Sequence, residues 1–217
     1  MSIPVLDALD QDTRTRLIRA GNRRRFTRNE VVFHEGDPAE TLYLLITGHV
    51  CVRVTTPMGD TAILAVLGSG STFGELALLS SDQPRAATVA ALDSVETLVL
   101  ARDQFTRLRH EFPGVDRFLV DLLAGYIRQL DMRLIEARYV PVGKRVLRQV
   151  LELSRIYGDG SRGTVIPLTQ ETLAGLAGST RATTNQTLRS AATSGLITLD
   201  RGRVRIEDPV TLARRAK

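Results

Sequence analysis

The sequence predicts an α+β chain of three parts: an antiparallel β-rich domain, a long helix, and a compact helix–turn–helix domain closed by a hairpin. Three observations predict it. From Val31 to Leu100, short apolar runs alternate with Gly, Pro and Asp. From Val115 to about Tyr139 the apolar period becomes helical. After Val142, two short helical patterns flank Ala177-Gly178-Ser179 and a pair of short strands follows. The 217 residues, 43% of them apolar, are enough for two domains with their own cores. The expected divisions are residues 1–114, 115–139 and 140–217.

The elements follow in order. Asp7 to Ala20 fits a short helix with Leu6, Leu9, Leu17 and Ile18 as its stripe, and the run Arg23-Arg24-Arg25 comes next. Val31–Phe33, Leu42–Ile46, Val50–Val54, Ala62–Leu67 and Val95–Leu100 read as strands. Gly36-Asp37-Pro38, Gly48, Pro57–Asp60, Gly68 and Gly70 punctuate them. Runs this short, interrupted by glycine, fit a helix poorly and indicate an antiparallel sandwich or barrel.

Pro113 and Gly114 precede the long helix and Pro141 ends it. Leu119, Leu123, Tyr126, Leu130, Leu134 and Ala137 form its stripe, widened by Leu122, Ile127 and Ile135. Its length is roughly 37 Å at 1.5 Å per residue. Such a stripe serves either as core within its own domain or as a seam with a second copy. Helical spacing alone favours the first.

Beyond it, Gly143 to Tyr157 reads as a helix with Val146, Leu147, Val150, Leu151 and Leu153 inward. Ser161–Gly163 is a loop and Val165–Leu168 a short strand. Of the two short helices, Thr169 caps the first and Ser179 or Thr180 the second. Ile197–Leu199 and Arg203–Ile206, joined through Asp200-Arg201-Gly202, make a hairpin. This order is that of a winged helix-turn-helix.

Charge is unevenly spread. The total is +5, and because only Lys144 and Lys217 are lysines, arginine supplies nearly all the positive charge. Residues 1–114 carry 12 Arg against 14 acids, and residues 115–141 balance at four each. Residues 142–217 carry 11 Arg and two Lys against six acids. A basic tail behind a near-neutral front suits a polyanionic partner, and equally a solvated arginine-rich surface.

Other classes are excluded. No run of about 18 apolar residues exists to span a membrane. Met1–Asp10 carries acid rather than the basic start of a secretory signal, which points to the cytoplasm. A single Cys51, in an apolar strand, rules out a disulfide framework and a cysteine-held metal. His34, His49 and His110 lack metal-ligand spacing, so no metal is expected. No Walker loop, Ser-His-Asp set or paired-carboxylate site appears, so no enzymatic activity is expected.

Two constellations carry chemistry. The first is Phe73 to Ala90, FGELALLSSDQPRAATVA. Gly74 permits close backbone approach to a ligand. Glu75–Leu79 suits one or two helical turns with free N–H groups toward an anion. Arg85, ten residues past Glu75 at a return marked by Pro84, could close on a phosphate with a fork of donors. Glu75 is placed poorly for a phosphate and well for a sugar hydroxyl. The pair therefore reads as a nucleotide site or, alternatively, as a surface ion pair worth at most about 1 kcal/mol.

The second is the helix after Ser179. Arg181, Asn185 and Arg189 share a face by steps of four. Arg suits guanine O6/N7, and Asn or Gln suits adenine N6/N7. Gln186 lies beside them, and Thr169, Gln170, Thr180 and Thr183 can hold phosphates. The hairpin arginines Arg201, Arg203 and Arg205 could flank a DNA groove or be solvated scaffold.

FGELALL (Phe73–Leu79) with PRAATV (Pro84–Val89) resembles the phosphate-binding cassette of cyclic-nucleotide-binding domains. The likeness extends upstream through Phe33–Asp37 and Leu42–Gly48. Downstream it runs through the long helix to LTQETLAGLAGSTRATTNQTLR, Leu168 to Arg189. Covering nearly the whole chain, it is similar to the Crp/Fnr family of bacterial transcription regulators.

The resemblance implies an N-terminal β-roll (a cyclic-nucleotide-binding jelly roll), a dimerisation helix over 115–139, and a winged helix-turn-helix over 140–217. It implies that Glu75 holds the ribose 2′-hydroxyl and Arg85 the cyclic phosphate, with Gly74 and backbone donors near Leu76 and Ala86 completing the cradle. Ala86 leans toward cyclic AMP over cyclic GMP. Arg128 and Gln129 stand near the position of the family's adenine-side hydroxyl pair, and Gln129 could bond an adenine edge. At the recognition helix the family commonly has Arg-Glu-x-x-x-Arg. Here Arg181 is kept, Ala182 replaces the Glu and Gln186 the second Arg, so a half-site other than the usual TGTGA is expected. The implied partners are a second copy of the chain, palindromic double-stranded DNA and RNA polymerase, with no membrane. The departures at Ala86 and Gln129 leave a second expectation: a regulator with another effector or none, and a vestigial cassette. A nucleotide-binding adaptor for protein or membrane ranks behind both.

Overall fold

A computed structural model of the chain describes residues 6, 9–78 and 83–217. Met1 to Val5, Asp7 and Ala8, at the expected first helix, and Leu79 to Asp82, inside the cassette string, lie outside the described residues. The chain folds into two compact units. The first comprises Met1–Gly59 with Ala65–Arg128, the second Asp60–Leu64 with Gln129–Lys217.

The first helix, α1, is Gln11–Ala20, so among the described residues the helix expected over Asp7–Ala20 begins after Asp10. Asp10 explains the later start. Its backbone is extended, and its carboxylate accepts from Thr13 N at 3.0 Å and Thr13 Oγ1 at 2.6 Å, which caps the helix there. Leu6 and Leu9 precede α1 and are buried all the same.

The strands of the N-terminal half are β1 (Asn22–Phe26), β2 (Val31–Phe33), β3 (Thr41–Thr47), β4 (Val50–Thr55), β5 (Thr61–Leu67), β6 (Thr72–Phe73), β7 (Thr88–Ala91) and β8 (Val95–Ala101), with Thr61–Leu64 of β5 counted in the second unit. They form two four-stranded sheets, ordered β1-β8-β3-β6 and β2-β7-β4-β5. Tyr43 and Leu45 of β3 point between the sheets, with Phe26, Val50, Phe73, Val89, Val95 and Val99. Leu42 and Leu44 point the other way, where Leu98 and Leu100 join them. That outer face is covered by α1, by α2 (Arg102–Glu111) through Phe105 and Leu108, and by Val115, Phe118 and Leu119 of α3 (Gly114–Tyr139). Burial on both faces is why β3 reads as a continuous apolar run. The arginine run lies in β1, where Arg23 and Arg25 reach Glu96 of β8 at 2.6 and 3.4 Å.

The second unit contains α4 (Val142–Ile156), β9 (Val165–Ile166), α5 (Gln170–Ala177), α6 (Arg181–Thr193), β10 (Ile197–Asp200), β11 (Arg203–Ile206) and α7 (Pro209–Ala216). Its sheet order is β10-β11-β9. Val146, Leu147, Val150 and Leu153 of α4 are buried, whereas Leu151, expected inward, is only partly so. Thr169 caps α5, and Thr180 rather than Ser179 caps α6, each hydroxyl accepting at 3.2 Å from the backbone N–H three residues on. Between them Gly178 takes φ +57°, a left-handed helix stop that glycine adopts without strain. The α+β class and the winged helix-turn-helix are those the sequence predicts.

Candidate functional site

The cassette brings Gly74, Glu75 and Arg85 together. Gly74 has φ +77°, and a Cβ there would lie 2.7 Å from Arg85 Nη1 and 3.1 Å from the Thr41 carbonyl oxygen. Only glycine fits. Glu75 opens a 3-10 turn, Glu75–Leu78, too short to carry an α-helical dipole. Arg85 is anchored through its backbone, its N–H donating to Asp37 O at 2.8 Å and its carbonyl accepting from Gly36 N at 2.9 Å.

The Arg85 side chain is only 6% exposed. Nη1 donates to the carbonyls of Thr41, at 2.9 Å, and Gly74, at 3.3 Å, and Nη2 donates to Thr41 Oγ1 at 2.8 Å. Its Nε is buried and has no partner among the described residues. Burial pulls the Arg85 pKa down, opposed chiefly by Tyr43 and by Glu75. Burial pushes the Glu75 carboxyl pKa up, against its own backbone N–H and the Arg85 charge. The cradle is therefore partly desolvated, with one cation and one acid in electrostatic contact. Leu76 and Ala86 are exposed.

Of the α3 residues, the structure brings Tyr126 to this cradle. Its hydroxyl donates to the Thr72 carbonyl at 3.2 Å and shares a bond with Thr72 Oγ1 at 3.1 Å. Burial, and then the Glu75 charge, push its pKa up to about 12. The periodicity had placed Tyr126 in the apolar stripe. A phenol among leucines, whose hydroxyl needs a partner when buried, was the available signal. Arg128 and Gln129, the expected adenine-side residues, are exposed on α3. The helix also exposes Val120, Ile127, Leu130 and Leu134 by 54–63%. These recur at heptad spacing on one face.

In the second unit α6 presents Arg181, Ala182, Gln186 and Arg189 to solvent, with Thr183 and Asn185 half-buried. Thr184 is fully buried on the opposite side. Asn185 Nδ2 donates to Gln170 Oε1 at 2.6 Å. Arg145 of α4 holds the turn, its Nη2 donating to the Gly178 carbonyl at 3.1 Å. The hydroxyls of Thr169 and Thr180 accept cap bonds and pair with Thr172 and Thr183 at 3.0 Å. One hydroxyl hydrogen per pair remains for a phosphate. An open groove of about 580 Å³ runs between the helix-turn-helix and the hairpin, lined by Thr169, Gln170, Arg181, Asp200, Arg201 and Arg203. Among the described residues no helix is long and apolar enough to cross a membrane, and no cluster of His, Cys, Asp or Glu could hold a metal.

Comparison with known proteins agrees on both units. Residues 23–112 match the cyclic nucleotide-binding domain family and residues 144–215 the Crp-like helix-turn-helix domain. The chain is 32% identical over 195 residues to the CRP-like cAMP-activated global transcriptional regulator of Mycobacterium tuberculosis, covering 88% of this chain and 87% of that protein. It is 31% identical over 190 residues to the cyclic AMP receptor protein of Thermus thermophilus, covering 88% and 86%. The crystal structure of the Thermus thermophilus catabolite activator protein matches with a TM-score of 0.57 at 29% identity, over 98% of each chain. The c-di-GMP-responsive global regulator CLP of Xanthomonas campestris shares the fold, with a TM-score of 0.77 at 22% identity over 91% and 99% of the chains.

Proposed function

Because the chain belongs to the Crp/Fnr family of transcription regulators, whose members are not enzymes, we propose that it is a cytoplasmic homodimer whose grip on DNA is set by cyclic AMP. The observation that carries the effector is Arg85, a buried guanidinium whose Nε has no partner among the described residues and whose other nitrogens rest on neutral oxygens. A cyclic phosphate offers charged acceptors, which make bonds roughly twice as strong. Glu75 accepts from the ribose 2′-hydroxyl, and backbone donors near Gly74, Leu76 and Ala86 complete the cradle. Gln129 and Arg128 take the adenine side. The relatives named as a cAMP-activated regulator and a cyclic AMP receptor protein support this ligand, and Ala86 favours it over cyclic GMP.

The exposed heptad face of α3 supports the dimer, because four apolar side chains in water gain by burial against a second copy. In the dimer two α6 helices read half-sites of a palindrome about 34 Å apart. Arg181, Asn185, Gln186 and Arg189 face base edges, Ala182 offers only a methyl contact, and Thr169, Gln170, Thr180 and Thr183 lie toward the backbone. Cyclic AMP then acts by binding one arrangement of the dimer better than another. RNA polymerase remains a proposed further partner.

Calorimetric titration of cyclic AMP tests the effector. Wild type should bind and Arg85→Ala should not; no heat from wild type at millimolar ligand ends the proposal. A second reading, a regulator with a different effector, is favoured by Ala86, which lacks a hydroxyl, and by the exposure of Gln129. The 28% identity to a protein named global nitrogen regulator in Nostoc supports it too. It predicts a DNA-binding midpoint unchanged at every cyclic-nucleotide concentration.

A further inference from the structure

The contact between Asn185 and Gln170 bears on which base α6 reads. An asparagine amide has one acceptor oxygen and two donor hydrogens. Here one hydrogen of Asn185 Nδ2 is given to Gln170 Oε1 at 2.6 Å. The Oδ1 lone pairs and one N–H remain. Turning the Asn185 amide over would set Oδ1 against Gln170 Oε1, two acceptors face to face, unless the Gln170 amide turned with it, so the bond couples the senses of the two amides. The Gln170 backbone is set as the first residue of α5, immediately after the Thr169 cap.

In the major groove adenine presents an acceptor at N7 and a donor at N6, whereas guanine presents two acceptors. In the sense observed, the Asn185 amide shows one acceptor and one donor, which matches adenine. Guanine would require both donors of Asn185, one of which is already spent. Asn185 lies one turn from Arg181 and one from Arg189, both exposed, so the pair sits on the face that carries the arginines.

We propose that Gln170 is a positioning residue that holds Asn185 in the sense that selects adenine over guanine at one position of each half-site. This rests on the proposed assignment of α6 as the base-reading helix.

The test uses the full-length protein with cyclic AMP present. Preferred duplexes are selected from random DNA, and affinities are measured by fluorescence anisotropy for wild type, Asn185→Ala, Gln170→Ala and Gln170→Glu. Asn185→Ala identifies the position it reads, by loss of preference there. Gln170→Ala should lower the adenine-over-guanine ratio at that same position about three- to tenfold, on top of a uniform loss on all duplexes from its backbone contact, with preferences at other positions unchanged. Gln170→Glu keeps the acceptor, so it should keep the ratio while its charge weakens all duplexes alike. An unchanged ratio in Gln170→Ala, alongside an effect of Asn185→Ala, overturns the positioning role alone. A guanine preference at that position in wild type overturns the amide sense. If Asn185→Ala alters no base preference, the assignment of Asn185 as a base reader fails with it.

Discussion

The guanidinium of Arg85 lies over the ring of Phe33, 4.1 Å from its centroid. Phe33 also meets Tyr43 and Phe73, at centroid distances of 5.6 and 6.1 Å, so the cation rests on an aromatic floor that joins both sheets. Because Arg85 is buried, the attraction belongs at the desolvated end of the range, about 2 kcal/mol. Phe33→Leu keeps apolar bulk and removes the ring face. The cyclic-AMP dissociation constant should then rise roughly tenfold, the equivalent of about 1.4 kcal/mol. Titration calorimetry checks it, and an unchanged constant removes Phe33 from the site.

Glu75 makes stability and binding respond in opposite directions. Burial raises its pKa above the ordinary 4.5, so the folded chain holds this proton more tightly than the unfolded one. Ionising it therefore costs folding stability. The cost is absent below about the unfolded value, grows as pH rises through the raised folded value, and is complete above it. Glu75→Gln should melt a few degrees higher than wild type at pH values above the raised folded pKa, with the difference vanishing toward pH 4. The same change replaces a charged acceptor with a neutral one, so cyclic-AMP affinity should fall by about tenfold or more. Melting curves across pH, with calorimetry of the ligand, read both signs.

Tyr126 supplies a spectroscopic marker. With its pKa pushed up to about 12, it should ionise well above the usual phenol value of about 10 in an absorbance titration at 295 nm. Tyr126→Phe should remove that late step and lower stability by about 1 kcal/mol, the worth of the bonds to Thr72.

The elements with strong period or punctuation were legible in the sequence. The alternation from Val31 to Leu100, the long stripe of α3, and the Thr169 and Thr180 caps all correspond to elements in the fold. What escaped had local signals too weak to stand alone. Strand β1 is NRRRF, four exposed polar residues and one buried Phe26, and only its pairing with β8 makes it a strand. Helix α7 is eight residues long, and Asp208 before Pro209 was its one start signal. At the cradle, Gly74, Glu75 and Arg85 were readable as types and spacings. Thr41, Phe33 and Tyr126 were not, because they reach Arg85 and Glu75 from strands and a helix distant in sequence.

The α3 face predicts assembly. Ile127 and Leu130 are 60% and 63% exposed, so replacing either with Glu should leave the chain's own folding within about 0.5 kcal/mol of wild type. In a seam with a second copy the same change removes apolar burial and inserts a charge without a partner. Leu130→Glu should raise the dimer dissociation constant by about two orders of magnitude or more. Sedimentation velocity over a concentration series measures it.

The two kinds of arginine around the α6 groove should separate by their response to sequence and salt. Arg181 stands at the start of α6, where a guanidinium can meet guanine O6 and N7 together. Arg201 stands at the hairpin tip on the far side of the groove, where a phosphate is the natural partner. Arg181→Ala should therefore cost about 1–3 kcal/mol on the preferred duplex and relax discrimination at one base position. Arg201→Ala should weaken every duplex alike, and reduce the slope of log affinity against log salt by about 0.9 per protomer. Arg205, exposed on β11 and not among the residues that line the groove, serves as the comparison. Equal loss on specific and random duplexes for Arg181→Ala would show that Arg181 reads no base.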